Sequence, residues 1–312
     1  MLRTAVLPFL LLLVPVAAEA QEAPRKQCAG QACVELIDLT PKFLAFWDAA
    51  KAAPPADAEA RFALWKQRYG FAAVPPGPRG EALARQLLAG AWDRYDAALP
   101  RIRSAAATWQ PAPLDSLAAV VRVLDYSGAV DVRATLFVGG FEANAFAFSM
   151  GGTYYVHFPV ESDDDHALAQ AHEFAHAVHG RAAGLGGGWE RSIAQTLLQE
   201  GLAMHVAREV APGRPVSAYV SHAPGWWDSV QPRKAAVLAD IRPVLEAKDG
   251  ATVWKYTIGE GGAGVRREAY AAGWWVIEQL RANGMTLPQI ARIPESDMAR
   301  VSREAIDALL SR

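Results

Sequence analysis

The sequence predicts an α+β fold that is mostly α-helical, with a small β-sheet near the middle of the chain. Apolar residues recur at three- and four-residue spacing on both sides of that part, which indicates amphipathic helices. Between residues 134 and 158, short runs rich in β-branched and aromatic residues are bounded by glycine pairs or proline, as strands are. Directly after them, two histidines four residues apart, His172 and His176, lie in a stretch of helical periodicity.

The first twenty residues are expected to form a signal peptide rather than part of the fold. Arg3 supplies a positive charge, and residues 5–16 are an apolar run too short for a comfortable membrane span. Positions 18–20, Ala-Glu-Ala, are typical of a cleavage site, so the mature chain would begin near Gln21. An uncleaved N-terminal anchor is the alternative. We expect a periplasmic or secreted protein, with no stable membrane insertion after signal cleavage.

The charge balance excludes some partners. The 312-residue chain has 31 basic and 33 acidic residues, which leaves a formal net charge of −2. The net charge is close to zero and the sequence has no block of basic residues, so nothing supports a nucleic-acid or acidic-membrane partner. Two cysteines, Cys28 and Cys33, follow the predicted cleavage site. In an exported protein such a pair favours a small disulfide loop, and metal ligation is the alternative.

Residues 21–126 are predicted to be a helical N-terminal region. Thr40-Pro41 is typical of a helix start, with Thr40 as the N-cap. Asp57 is placed to cap a second helix, and Gly70 to end it. Aromatic residues at helical spacing in this region are interpreted as core. Further helices are expected over residues 79–97, 99–109 and 113–125.

Two strands are predicted in the middle of the chain, over residues 134–138 and 153–158. The second comes just before the helix that carries the histidine pair. A peptide can bind as an extra strand along the edge of such a segment, through main-chain hydrogen bonds. An ordinary hairpin packed on the core is the alternative, and the sequence favours neither.

The motif His172-Glu173-Phe174-Ala175-His176 places two imidazoles on one face of a helix. Residues four apart lie nearly in line, so both rings can reach one metal ion. Glu173 is about 100° further round the helix, close enough to contact a water on that ion. Ser162 and Asp165, three residues apart, predict a capping box at the helix start. His179 is a rival ligand on the same face, although three ligands along one helix rarely surround an ion well.

A second helix is expected from about residue 189 to residue 209, after the glycine-rich reversal at residues 184–188. Glu200 falls in the apolar stripe of this helix. A buried carboxylate is costly unless it is paired or binds a metal, so Glu200 is the candidate third ligand. Pairing of Glu200 with a buried arginine is the alternative. Gly201 beside it would let the two helices approach closely.

His-Glu-Phe-Ala-His, followed after the glycine-rich turn by Gln-Glu-Gly-Leu-Ala at residues 199–203, resembles the gluzincin branch of zincin metallopeptidases. It is most similar to the bacterial group of predicted zinc-dependent proteases. The resemblance covers about residues 141–205 and implies a zincin-like, metal-binding core over residues 127–212. It also implies that His172, His176 and Glu200 hold one zinc ion and that Glu173 is the general base.

The stretch Asn144-Ala145-Phe146 resembles the edge-strand segment of some membrane-associated metalloproteases, which implies that Asn144, Ala145 and Phe146 contact substrate. One position departs from the gluzincin pattern. Four residues after the glutamate ligand, where many members carry an aspartate that orients a ligand histidine, this chain has Met204. The candidates for that orienting role are His205 and Gln199.

Residues 213–312 are predicted to be a helical C-terminal region that completes the cleft. Hydrolysis of a peptide bond needs a hydrogen-bond donor to the oxyanion besides the metal. Tyr270 is the first candidate for this catalytic role, with His222 and Arg267 in reserve. A packing role for Tyr270 is equally consistent with the sequence.

Together these features predict an exported zinc-dependent metallopeptidase acting on peptide or protein substrates, with a zinc-activated water and Glu173 as general base. Two alternatives stay open. One is a non-catalytic zincin-fold binding protein of the cell envelope. The presence of Glu173 disfavours it, because a binding protein does not need a general base. The other is a metal-dependent hydrolase of a non-peptide amide or ester, which would share the site and differ only in the cleft.

Overall fold

The computed structural model describes residues 25–54, 56–142, 145–162, 165–186, 191–220 and 222–311. Within these ranges the chain is α+β and 61% helical, with a small five-stranded mixed sheet. The predicted fold class is confirmed at this level. The predicted signal peptide, residues 1–20, lies outside the described residues, as do Asn144 and the predicted start of the second central helix at residue 189.

The sheet combines two hairpins and two parallel pairings in the strand order β1-β2-β3-β5-β4. Strands β1 and β2 pair antiparallel, as do β4 and β5, whereas β3 lies parallel to both β2 and β5. The two predicted strands correspond to β3 and β5, and β3 begins four residues earlier than expected. The strands are β1 (Arg25–Ala29), β2 (Ala32–Asp38), β3 (Val130–Phe137), β4 (Phe146–Met150) and β5 (Thr153–Pro159).

The prediction that residues 21–126 are helical is wrong at its start, where β1 and β2 lie. In β2 the buried Ala32 and Val34 alternate with less buried neighbours, which is the period of a strand with one face on the core. Its partner β3 is far away in sequence, so no local pattern indicates the pairing. The predicted disulfide is confirmed: Cys28 and Cys33 face each other across the β1–β2 hairpin and are bonded.

Five helices separate β2 from β3. The N-cap prediction is wrong for Thr40, because the first helix already includes it and the Thr40 N–H donates to the Asp38 carboxylate at 2.8 Å. It is right for Asp57, which accepts from the N–H of Ala60. Gly70 follows the second helix at a φ of +65° that favours glycine. The five are α1 (Thr40–Ala52), α2 (Ala58–Arg68), α3 (Pro78–Ala91), α4 (Tyr95–Thr108) and α5 (Pro113–Val123).

Two central helices, α6 (His166–Ala183) and α7 (Ile193–Val210), contain the two motif histidines and Glu200, respectively. The predicted capping box is wrong, because Asp165 itself is the N-cap of α6 and accepts from Leu168 N–H at 3.2 Å. The back of α6 packs on the sheet through Phe174, whose ring contacts that of Phe158. Consequently, the histidine face of α6 points away from the sheet.

The C-terminal region is helical, as predicted. Its helix α12 packs against α7 at a glycine pair: a Cβ on Gly201 would lie 2.3 Å from the carbonyl oxygen of Gly273. Gly201 therefore allows close approach of α12, and the prediction that it serves the approach of α6 is wrong. The helices are α8 (Val216–Val220), α9 (Trp226–Val230), α10 (Lys234–Ile241), α11 (Gly250–Thr257), α12 (Glu268–Ala282), α13 (Leu287–Ile290) and α14 (Glu295–Leu310).

Buried apolar side chains from Ala32 to Ile306 form one hydrophobic core, shared by the N-terminal, central and C-terminal regions. Helix α7 contacts both α6 and α12, and every residue from Ile193 to Ala207 is buried. A polar side chain on α7 therefore has to find its partner inside the protein. Across the described ranges, no helix combines the length and the hydropathy needed to cross a bilayer.

Candidate metal centre

Three side chains from α6 and α7 converge on one point. Nε2 of His172 lies 3.2 Å from Nε2 of His176, and Oε2 of Glu200 lies 3.4 Å from the first and 3.5 Å from the second. The two histidines are one helical turn apart on α6, and Glu200 reaches them from the buried α7. The structure thus brings together the three residues that the sequence predicts as metal ligands, and they form a group that could hold a metal ion.

The spacing of these three atoms fits a small divalent cation. Ligand atoms that each lie about 2.0–2.1 Å from a tetrahedral zinc ion are separated by about 3.3 Å. The observed separations of 3.2–3.5 Å agree with that value. The donor set of two imidazole nitrogens and one carboxylate oxygen also suits zinc, since it leaves a fourth position for water.

Glu200 is also bonded to an arginine that the sequence analysis did not single out. Nη2 of Arg191 donates to Oε1 of Glu200 at 2.9 Å, and Nη1 of the same arginine donates to Oε1 of Gln199 at 2.7 Å. The predicted pairing of Glu200 with an arginine is therefore present at Oε1, whereas Oε2 faces the two imidazoles and its role as a metal ligand stays a prediction. Arg191 precedes the N-cap of α7, Ser192, so helical periodicity cannot identify it.

The two residues predicted to orient a ligand histidine, His205 and Gln199, have other hydrogen-bond partners. Nε2 of His205 lies 3.2 Å from the carbonyl oxygen of Trp274, and the His205 ring stacks on that indole. Gln199 contacts Arg191 instead of a histidine. The prediction is wrong for His205, and Gln199 acts on the cluster only through Arg191. In the described chain, Nδ1 of His176 is buried without a hydrogen-bond partner.

Electrostatics keep the Glu200 carboxylate ionised. Burial alone would raise its pKa, but the charge of His176, hydrogen bonds from both imidazoles and the charge of Arg191 hold the pKa well below its ordinary value. Burial lowers the pKa of His172, yet the hydrogen bond with Glu200 and the negative charge of Glu173 outweigh it, so that this pKa is raised. The cluster thus contains an ionised carboxylate that faces two imidazoles and is paired with Arg191.

Glu173 is 8% exposed and directly follows His172 on α6. Burial raises the pKa of its carboxyl group, although positive charge on His172 and His176 acts in the opposite direction. A carboxylate with a raised pKa is a better proton acceptor near neutral pH than an exposed one. Its position and its basicity suit the role predicted for it.

The start of α12 brings two of the three oxyanion-donor candidates into the electrostatic field of the cluster. Burial and the charge of Glu200 raise the pKa of Tyr270 to about 12, so its hydroxyl is a neutral donor at physiological pH. The guanidinium of Arg267 lies 4.0 Å from the centre of the Tyr270 ring and acts to lower the pKa of His172. His222 packs edge-on against Trp226, and burial, aided by Arg267, lowers its pKa to about 4.

His179, the rival ligand, does not belong to the three-residue group found in the described chain. It is 1% exposed, and neither ring nitrogen has a hydrogen-bond partner within that part of the structure. Burial and the neighbouring charge of His176 lower the pKa of His179 to about 3, so the ring is neutral. Its role is therefore in packing beside the cluster.

Strand β4 forms one edge of the sheet and lies against α6. Ala145 and Phe146 are half-buried there, and the Phe146 ring stacks on that of His157 across the β4–β5 hairpin, with centroids 4.6 Å apart. The segment is thus a packed hairpin whose outer strand has no further strand partner in the described sheet. The predicted hairpin packed on the core is confirmed. The prediction of a peptide-binding edge is wrong for residues 153–158, because β5 is paired on both sides by β3 and β4, and substrate contact at Ala145 and Phe146 stays a prediction.

Comparison with protein-family models, with curated proteins and with solved structures finds no match.

Proposed function

We propose that this protein is an exported zinc-dependent metallopeptidase of the gluzincin type, with a zincin-like catalytic domain. One observation carries the proposal: Oε2 of Glu200 on α7 lies 3.4–3.5 Å from both imidazole nitrogens of the His-Glu-x-x-His helix. The disulfide between Cys28 and Cys33 supports export, since such bonds persist in oxidising compartments.

His172, His176 and Glu200 are the residues that would hold the ion. A zinc ion there supplies Lewis acidity, which polarises a carbonyl group and lowers the pKa of water. Glu173 adjoins His172 and is buried, and burial raises the pKa of its carboxyl group. It accepts the proton of the attacking water and then donates it to the leaving amine.

Tyr270 supplies a hydrogen bond to the oxyanion that forms when water adds to the carbonyl. With a pKa of about 12 the phenol keeps its proton throughout the neutral range. Such a donor is effective because it is fixed in place before the reaction and lies in a poorly solvated environment. Arg267 beside it is the second candidate for the same contact.

The edge of β4 is the proposed position of the substrate backbone. A peptide added there as a further strand would run past α6, which carries the histidines and Glu173. Main-chain hydrogen bonds would supply most of the affinity, and Ala145 and Phe146 would contact the substrate side chains. Asn144 belongs to the same proposed segment.

One observation favours a second candidate, a non-catalytic binding protein. The bond from Arg191 to Glu200 is an ion pair that already compensates the buried carboxylate in part. In such a protein the two histidines and Glu200 would be a polar network in the core, and no metal would be needed. A hydrolase of a non-peptide amide or ester would share the metal centre.

Elemental analysis of the purified protein, followed by digestion of a peptide pool with and without chelator, tests the proposal. We expect one zinc ion per chain, cleavage that a chelator stops, and recovery when zinc is restored. Glu173→Gln should retain zinc and lose turnover, whereas Glu200→Ala should lose the metal. Glu209→Gln, which removes an exposed carboxylate of α7, is the matched control and should change neither. A Glu173→Gln protein with undiminished peptidase activity would rule out the mechanism, and a chain with no affinity for zinc would favour the non-catalytic candidate.

A further inference from the structure

Arg267 has no anionic partner in the described chain. No carboxylate oxygen there lies within 4.0 Å of its nitrogens, and its Nε is buried without a hydrogen-bond partner. The two arginines with which it can be compared are both engaged: Arg191 is bonded to Glu200, and Arg266 donates to the carbonyl of Ile258 at 3.3 Å. Arg267 shares a side-chain hydrogen bond with Tyr270, but a guanidinium has five N–H donors, so donors remain for an anionic ligand.

The position of this cation relates it to the metal centre. Its guanidinium stacks on the Tyr270 ring, at 4.0 Å from the ring centre. The positive charge acts on His172 of the metal cluster as well as on Tyr270 and His222. An anion held by Arg267 would therefore lie beside Tyr270 and within the electrostatic reach of His172.

The backbone fixes Arg267 firmly in this place. Its φ of +58° is in the left-handed region, which arginine rarely adopts. Its N–H donates to the carbonyl of Gly259 at 3.0 Å, and the indole N–H of Trp226 donates to the carbonyl of Arg266 at 3.0 Å. Arg233 donates to the carbonyl of Gly264 at 2.8 Å. A guanidinium on such an anchored segment loses little freedom when it binds an anion.

The local charge balance also favours an anionic ligand. Glu173 and Glu200 supply at most two negative charges, and Arg191 and Arg267 supply two positive ones. A divalent cation bound by His172, His176 and Glu200 would make the site positive overall. Such a site attracts a negatively charged substrate and disfavours a cationic one.

We propose that Arg267 binds a carboxylate group of the substrate close to the scissile bond. The preferred substrates are then peptides with an anionic group at this point, either the C-terminal carboxylate or the side chain of aspartate or glutamate. A planar guanidinium suits both, because it can donate two parallel hydrogen bonds to a carboxylate. The inference rests on the proposed peptidase function for the identity of the substrate.

Three pools of acetylated hexapeptides with otherwise randomised neutral residues test this inference. One pool has a free C-terminal carboxylate and no acidic residue, one has a C-terminal amide and one glutamate, and one has a C-terminal amide and no acidic residue. Each pool is passed over the immobilised, zinc-loaded Glu173→Gln protein, and the retained peptides are quantified by mass spectrometry. Retention of at least one carboxylate pool should exceed that of the neutral pool about tenfold.

Two substitutions at Arg267 and one control at Arg266 decide whether Arg267 is responsible. Arg267→Gln in the same protein should abolish the preference, Arg267→Lys should restore part of it, and the neighbouring Arg266→Gln should leave it intact. Zinc content and thermal unfolding of each variant verify that the fold is retained. Equal retention of all three pools, or a preference that survives in Arg267→Gln, would overturn the inference. The pool that is retained distinguishes a C-terminal carboxylate from an acidic side chain.

Cleavage of the same pools by the wild-type protein separates this inference from the proposed function. If no pool is cleaved while retention of a carboxylate pool depends on Arg267, the peptidase proposal fails and the carboxylate site stands. If the neutral pool is cleaved as fast as the other two and Arg267→Gln changes nothing, the peptidase proposal stands and the carboxylate site fails.

Discussion

Arg191 holds one oxygen of the Glu200 carboxylate and leaves the other facing the two histidines. The bond from Nη2 to Oε1 is 2.9 Å, whereas Oε2 lies 3.4 Å and 3.5 Å from the imidazole nitrogens. Because Oε1 is engaged, the carboxylate cannot rotate freely, and Oε2 is directed towards the proposed ion. This division explains how a buried glutamate can be both ion-paired and a candidate metal ligand.

Replacement of Arg191 by glutamine should weaken zinc binding about 10- to 100-fold, as is usual when a residue that orients a ligand is lost. The metal should remain bound at high zinc concentration, because the three ligand atoms are unchanged. Competition with a chromophoric chelator measures the affinity. The control is Arg281→Gln on α12, which removes the exposed ion-pair partner of Glu209 on α7 and should have no effect. An unchanged affinity in Arg191→Gln would show that Arg191 does not orient the carboxylate.

The group of His172, His176 and Glu200 could be predicted from sequence because its determinants are local. The spacing of His172 and His176 on a helix, and the cost of burying Glu200 on an apolar stripe, need no knowledge of distant contacts. Arg191 could not be found in this way, because it lies before the N-cap of α7 and follows no period.

The fold shows the same distinction between local and distant determinants. The predicted strands β3 and β5 and the caps at Asp57 and Gly70 depend on short patterns, and the structure contains them. Strand β2 cannot be predicted from a local pattern, because it is stabilised by pairing with β3, which follows five intervening helices. The helix that Gly201 contacts is likewise set by a distant residue, since its partner, Gly273, lies on α12.

Replacement of Tyr270 by phenylalanine should lower kcat about 10²- to 10³-fold and leave zinc content and KM nearly unchanged, because the donor acts on the oxyanion and not on bound substrate. With a pKa of about 12, the Tyr270 hydroxyl should cause no fall in activity between pH 7 and pH 9. Steady-state kinetics over this pH range measure both effects. Tyr155→Phe, on the sheet, removes a hydroxyl whose contact with Arg133 is 3.4 Å and is the control. A kcat that is equal in wild type and Tyr270→Phe would assign the oxyanion contact to another group.

Glu268 makes the stability of the protein dependent on pH. Burial raises the pKa of its carboxyl group to about 7, and the negative charge of Asp240 adds to this effect. The folded state therefore binds an additional proton between about pH 4.5, where the unfolded group titrates, and pH 7. The contribution of Glu268 to stability is fully present below that window and is lost as the pH rises through the folded-state pKa.

Glu268→Gln removes this titration and keeps an oxygen that can accept from the N–H groups of Ala263 and Val265. We expect the stability of the variant relative to wild type to rise between pH 5 and pH 8. Thermal unfolding at a series of pH values measures the difference, and all other titrating groups cancel in it. Glu278→Gln, an exposed position on the same helix, should instead parallel the wild-type curve. A difference between Glu268→Gln and wild type that is constant with pH would contradict the assignment.

The contact between Gly201 and Gly273 fixes the distance between α7, which carries Glu200, and α12, which carries Tyr270. A Cβ on Gly201 would meet the Gly273 carbonyl oxygen at 2.3 Å, and a backbone atom cannot rotate away. Gly201→Ala should therefore destabilise the protein by about 3 kcal/mol or force the two helices apart. In the second case Glu200 moves with its helix, so zinc affinity should fall together with the free energy of unfolding.

Gly90→Ala separates this steric effect from the intrinsic preference of helices for alanine. Gly90 is an exposed residue of α3, and no atom lies within 4 Å of a Cβ built on it. Alanine there should stabilise the protein by up to about 1 kcal/mol and leave zinc binding unchanged. Denaturant unfolding measures the stability of both variants, and chelator competition measures their zinc affinity. If the crossing of α7 and α12 sets the geometry of the site, Gly201→Ala should lower the stability, whereas Gly90→Ala should raise it. If Gly201→Ala were as stable as wild type and bound zinc equally well, the position of Glu200 would have to be set by Arg191 and the histidines instead of by this helix contact.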